Sequence, residues 1–110
     1  MDDEGYATAE AAVALPALLV VLSLAVGAVV TVGAQLRCVD AARAAARQVA
    51  RGDSDARARH DAEQIAPRGA TVAVQHRGDD VDVTVTATVR PTRWLPGFTV
   101  RAHAVTEVEP

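Results

Sequence analysis

Large side chains are scarce in this 110-residue chain of 11.4 kDa: Phe, Trp, Tyr, Met and Cys occur once each. Lys and Asn are missing altogether. A single cysteine excludes an internal disulfide and leaves the redox compartment open. With three aromatics, no core can be built on large rings, and the 50% apolar fraction rests on 24 Ala and 18 Val. The length allows one small domain. All 11 basic residues are Arg, which GC-rich codon usage explains more simply than a partner does.

The net charge of −3 is unevenly placed. Asp2, Asp3, Glu4 and Glu10 against Arg37 put the whole excess in the first 37 residues, and the rest is neutral. No basic face for nucleic acid is implied.

Catalytic and metal chemistry is equally thin. There is no glycine-rich phosphate loop, serine nucleophile elbow or CxxC, so no residue is nominated as catalytic, and no cofactor, metal or small-molecule substrate is expected. His60, His76 and His103 fall on three separate elements and read as solvated surface residues. Asp79, Asp80 and Asp82 read as a solvated turn rather than a cation site, for want of a bidentate Glu.

What the chain does have is one long apolar run. Ala11 to Leu36 carries no charged residue over 26 positions, and at 1.5 Å per residue such a helix spans about 39 Å, against a hydrocarbon thickness of about 30 Å. Its Leu and Val residues favour insertion by roughly 4 to 7 kcal/mol. Pro16 and Ser23 oppose insertion without reversing it. A cleavable secretory signal has a shorter apolar region and a basic flank, whereas this flank is acidic. A soluble helix apolar all round needs more protein around it than 110 residues supply. Ser23, Gly27 and Thr31 recur at four-residue steps on one face, which either lets another apolar helix pack closely or reflects only how common small residues are in this chain.

Beyond the run the helix is expected to continue over 37–52, with Leu36, Val39, Ala42, Ala46 and Val49 inward and Arg43, Arg47 and Arg51 beside them. Gly52 ends it. A short helix follows over 54–66, capped by Asp53 or Ser54 and closed by Pro67, its apolar side chiefly Ala62, Ile65 and Ala66. Residues 70–109 then change to a period of two: Val72 and Val74, a Gly78-Asp79-Asp80 turn, Val81 to Val89, a proline-bracketed loop with Trp94, and Phe98 to Ala104. Trp94 in that loop is expected to fold back over the sheet, with a contact for a partner as the alternative. The fold class is therefore α+β: a long N-terminal helix and a three-stranded antiparallel meander whose valine face covers the helical extension.

Gly5, Glu10 five positions later and the apolar run behind them resemble the processing site of type IV pilin precursors. Glu10-Ala-Ala-Val-Ala-Leu-Pro16, followed after the run by the Ala- and Arg-rich stretch Arg37 to Gly52, resembles the TadE-like minor pilins of the tight-adherence (Flp) pilus. That resemblance implies residues 1–5 as a leader peptide, a prepilin peptidase cutting between Gly5 and Tyr6, a transmembrane and assembly helix over 6–36, and a head over 37–110 outside the cytoplasmic membrane. It implies other pilins and the tight-adherence assembly components as partners. Glu10 would pair with a neighbouring subunit's N-terminal amine, so that neither charge is buried alone. Arg37, Arg43, Arg47 and Arg51 pull the other way on orientation, because positive charge favours the cytoplasmic side; Asp40 offsets part of that excess, and the pilin orientation is expected. Cys38, just past the run, reads as a small apolar helix residue, with a disulfide to another subunit as its functional alternative.

Overall fold

A computed structural model of the chain describes residues 3–90, 93–94 and 96–108. The expected α+β architecture is present: helix α1 (Asp3–Ala50), helix α2 (Asp55–Ile65) and strands β1 (Thr71–Arg77), β2 (Asp80–Val89) and β3 (Phe98–Glu107). The strands form one antiparallel sheet in the order β1-β2-β3.

Alanine-rich sequence favours helix at every turn of α1, and Asp3 and Glu4 suit the positive end of its dipole. Pro16 lies within the helix and cannot donate to the carbonyl one turn back, yet the helix runs through it. The far end closes in a Schellman arrangement. Gly52, at φ 100, donates its N–H to the Val49 carbonyl at 3.0 Å, and Asp53 donates to Gln48 at 3.0 Å. Ser54 then caps α2 by accepting from the Arg57 N–H at 3.2 Å. Between β1 and β2 the turn is Gly78-Asp79, with Gly78 at φ 59, where a tight hairpin favours glycine.

The core lies between the second half of α1 and the sheet. Val81, Val83 and Val85 of the central strand are fully buried. They meet a helix face of Ala34, Cys38, Ala41, Ala42, Ala45, Ala46 and Val49. Small residues on the helix let the sheet approach closely, so β-branched side chains on the strands fill the space. Helix α2 adds Ala58, Ala62 and Ala66 to the same cluster. Gln48 donates to the Asp61 carboxylate at 3.1 Å and ties the two helices. Gln35 donates to the Arg101 carbonyl at 3.0 Å and ties α1 to β3.

Four expectations are corrected. Leu36 is exposed, because the inward stripe of α1 is set by Ala34 and Cys38, each two positions away and so about 200° round the helix from it. Ile65 is exposed as well, since Ala58, Ala62 and Ala66 at four-residue steps define the packed face of α2 and leave Ile65 beside it. Asp82 is not solvated: it sits mid-sheet on the outer face, 7% exposed, opposite Gln75 and Val105. Trp94 does not fold back over the sheet and is 80% exposed.

Candidate functional site

Helix α1 divides into two lengths with different surroundings. From Ala34 onward its inner face is covered by the sheet and α2, whereas Asp3 to Val26 is exposed throughout. Of its most apolar 18-residue stretch only 6% is buried. That stretch is not part of the head's core, and among the described residues one helix, near the N-terminus, is long and apolar enough to cross a membrane. The molecule is accordingly a rod with a head at one end, 82 × 20 × 18 Å overall.

The residues singled out by sequence fall into three groups along this rod. Gly5, Tyr6 and Glu10 lie at the bare end, inside a helix that is already continuous from Asp3. Tyr6 and Glu10, four apart, share a face, and both are exposed. The Thr8 hydroxyl donates to the Glu4 carbonyl at 2.9 Å, a local bond that satisfies the hydroxyl within its own helix. Pro16 follows in the exposed length, about 9 Å along the axis from Glu10.

Ser23, Gly27 and Thr31 form the second group, about 20 Å or more along the helix from Glu10. The Thr31 hydroxyl donates to the Gly27 carbonyl at 2.8 Å, which hides its polarity within the helix. These three residues, with Leu24, Ala28 and Val32, line an open apolar concavity of about 410 Å³ whose other wall is Phe98 at the start of β3. The small-residue stripe therefore runs up to the base of the head. Sequence reasoning placed Phe98 only as an alternating strand residue, and its part in this concavity depends on how the hairpin stands against α1.

Cys38 is the third. Its side chain is fully buried within the head and its thiol is free. Burial raises the thiol's pKa above the ordinary 9.0, with the Arg37 charge pulling the other way. This is the packing of a small apolar residue, and a disulfide to another subunit would require the core to open.

The head carries two histidine–carboxylate pairs that the sequence reading took for isolated surface histidines. His76 Nε2 lies 2.9 Å from both carboxylate oxygens of Asp55 and joins β1 to the start of α2. His103 Nε2 lies 3.0 Å from Asp82 Oδ1, and Arg77 Nη2 lies 4.0 Å from its Oδ2. The imidazole approaches off the line a hydrogen bond needs, so Oδ1 has no hydrogen bond among the described residues. Strand register accounts for the second pair: Asp82 and His103 are diagonal neighbours on the outer face. Among the described residues no cluster of three or more His, Cys, Asp or Glu could hold a metal ion.

Compared with known proteins, the chain is 45% identical over 101 residues to the apoptosis inhibitor Rv3655c of Mycobacterium tuberculosis (strain ATCC 25618 / H37Rv). The match covers 92% of this chain and 78% of that protein. No family model matches the chain. No solved structure matches it significantly.

Proposed function

We propose that this chain, which belongs to the family of the Mycobacterium tuberculosis protein Rv3655c, is a minor pilin of the tight-adherence (Flp) type, a reading that rests on the resemblance at Gly5, Glu10 and Pro16. A prepilin peptidase cuts it between Gly5 and Tyr6. Its N-terminal helix holds it in the cytoplasmic membrane as a single-pass protein with the head outside, and then packs among other pilins in a filament or its base.

The observation that supports this most is the unpartnered length of α1 from Asp3 to Val26, apolar after Glu10 and continuous with the helix on which the head is built. A permanent anchor needs only the apolar length. A subunit that bundles through its rod also needs a rigid junction to the head, a close-packing face and a means of neutralising charge at the rod's end. Ser23, Gly27 and Thr31 serve as the packing face. Glu10 serves as the acid partner of a neighbour's new α-amine at Tyr6. Gly5 lies in the first turn, where helix ends fray at least cost, so a peptidase can open the bond it cuts. Removal of Asp2, Asp3 and Glu4 with the leader leaves the mature chain without net charge.

The relative's name attributes inhibition of apoptosis to that protein.

Fractionation of cells that make the pilus tests the reading. Wild-type chain is expected in the sheared surface fraction with other pilins, and Glu10→Ala is expected to stay in the membrane. Wild type confined to the cytoplasmic membrane points to the second reading, a permanent single-pass anchor that never enters a filament.

A further inference from the structure

The apolar run and the head overlap, and the overlap places particular residues at one level. Counted from Ala11, a hydrocarbon layer of about 30 Å is used up after about 20 residues, near Val30. The described part of the β2–β3 connection stands at that level. Phe98 lies against Leu24, Gly27, Ala28 and Val32, and Arg90 stands with Val30, Gly33, Arg37 and Arg68 around a second concavity. Trp94, in a turn with Arg93, lies between Arg90 and Phe98 in sequence, so the chain is held at this level on both sides of it.

We propose that this end of the head is a lipid seat, with Phe98 at the upper end of the acyl chains, Trp94 in the headgroup layer and Arg37, Arg68, Arg90 and Arg93 against the phosphates of anionic lipids. The inference rests only on the membrane-crossing part of the proposed function and not on processing at Gly5.

Three independent features favour lipid as the occupant. The first is the distribution of aromatics. All three in the chain are exposed: Tyr6 at 69%, Trp94 at 80% and Phe98 at 47%. Tyr6 precedes the apolar run, Phe98 stands against residues about 27 to 39 Å further along the helix axis, and Trp94 is four residues before Phe98 in sequence. Amphipathic rings at both ends of a span form the belt pattern of membrane interfaces.

The second is charge segregation within the head. All four arginines are exposed; Arg37, Arg68 and Arg90 stand around the second concavity and Arg93 follows Arg90 by three residues. The sheet's acids, Asp79, Asp80, Asp82 and Glu107, lie at the opposite end, where β1 turns into β2 and β3 finishes. Asp40, one turn beyond Arg37, and Glu63 on α2 are the nearest acids in sequence on the packed helices, so the exit face stays positive. Each such cation near an anionic surface adds attraction that fades within a Debye length. The third is the continuing exposure of apolar residues at headgroup depth: Val32 and Leu36 remain open to the surroundings on α1.

Trp94 is the one tryptophan in the chain and so its own reporter. The full chain is reconstituted into phosphatidylcholine vesicles with and without phosphatidylglycerol, and flotation is measured beside Trp94 fluorescence. In floated vesicles Trp94 is expected to be shielded from aqueous acrylamide and quenched by lipids brominated near the top of the acyl chains. Both effects are expected to be stronger with phosphatidylglycerol. An Arg90→Gln/Arg93→Gln double variant should float equally well and lose the gain due to anionic lipid.

Floated protein whose Trp94 is open to acrylamide and untouched by brominated lipid overturns the seat and leaves the membrane crossing intact. Shielding that ignores lipid charge and grows with the protein-to-lipid ratio also overturns it, and assigns the face to a second copy of the chain. Protein that does not float overturns the membrane crossing itself.

Discussion

Cys38 shows what a core made of small pieces demands of each residue. It is fully buried on a helix face otherwise built from alanine, and burial favours its neutral thiol. In neutral buffer, a thiol-alkylating reagent is therefore expected to react with the folded protein at a small fraction of its rate with denaturant-unfolded chain; equal rates would contradict the packing. The pH dependence has a definite sign. With the folded pKa above the unfolded one, this contribution to stability is complete below the ordinary thiol range. It is lost as pH rises through that range and on toward the folded value, because the unfolded ensemble ionises first. Cys38→Ala should remove that slope. Val83, fully buried at the centre of the sheet, belongs to a cluster of Ala, Val and Cys side chains, which are too short to reach into a void. Val83→Ala is expected to cost roughly 2 kcal/mol, read from denaturant midpoints of the full chain in detergent. At this scale the sequence was legible where alternation is strict, as in Val81, Val83 and Val85. It misled at Asp82, because a central strand buries its outer face too when Arg77 and His103 reach over it. Trp94 was misread for a different reason: whether a ring lies on its own sheet or faces outward depends on how the hairpin stands on α1, and a loop's residue types do not carry that information.

Among the elements, the turn between α1 and α2 carries the most information in the fewest residues. Gly52 holds φ 100, and the two Schellman bonds depend on it. Gly52→Ala is expected to destabilise the head by about 1 to 2 kcal/mol, the cost of a side chain in left-handed backbone. Ser54→Ala should lose about 1 kcal/mol with its cap. Both losses are measurable by the same denaturation; no change for Gly52→Ala would place the helix end elsewhere. Helix boundaries, the helix cap and the three strands could be read from Gly52, Ser54, Pro67 and the period-two valines. The phase of each helix could not. In a sequence with this much alanine, several faces of α1 are small enough to pack, and the sheet's position selects Ala34 and Cys38 over Leu36. The same ambiguity put Ile65 in place of Ala58 on α2.

For the whole molecule the decisive fact is the division of α1 into a bare length and a covered length. Periodicity alone gave the apolar run but not where the head begins to cover it, since coverage is set by how β2 and β3 pack along the helix. The consequence is a rod whose exposed surface is almost entirely apolar between Glu10 and the base of the head, and whose outer end carries Gly5, Tyr6 and Glu10. Whether that end is trimmed separates a subunit that joins others through its rod from one that is only anchored. The intact mass of the protein extracted from the membrane of cells carrying the pilus genes tests this most directly. The account predicts a chain that begins at Tyr6 and reverts to full length when the peptidase is deleted. A full-length chain with the peptidase active would contradict it.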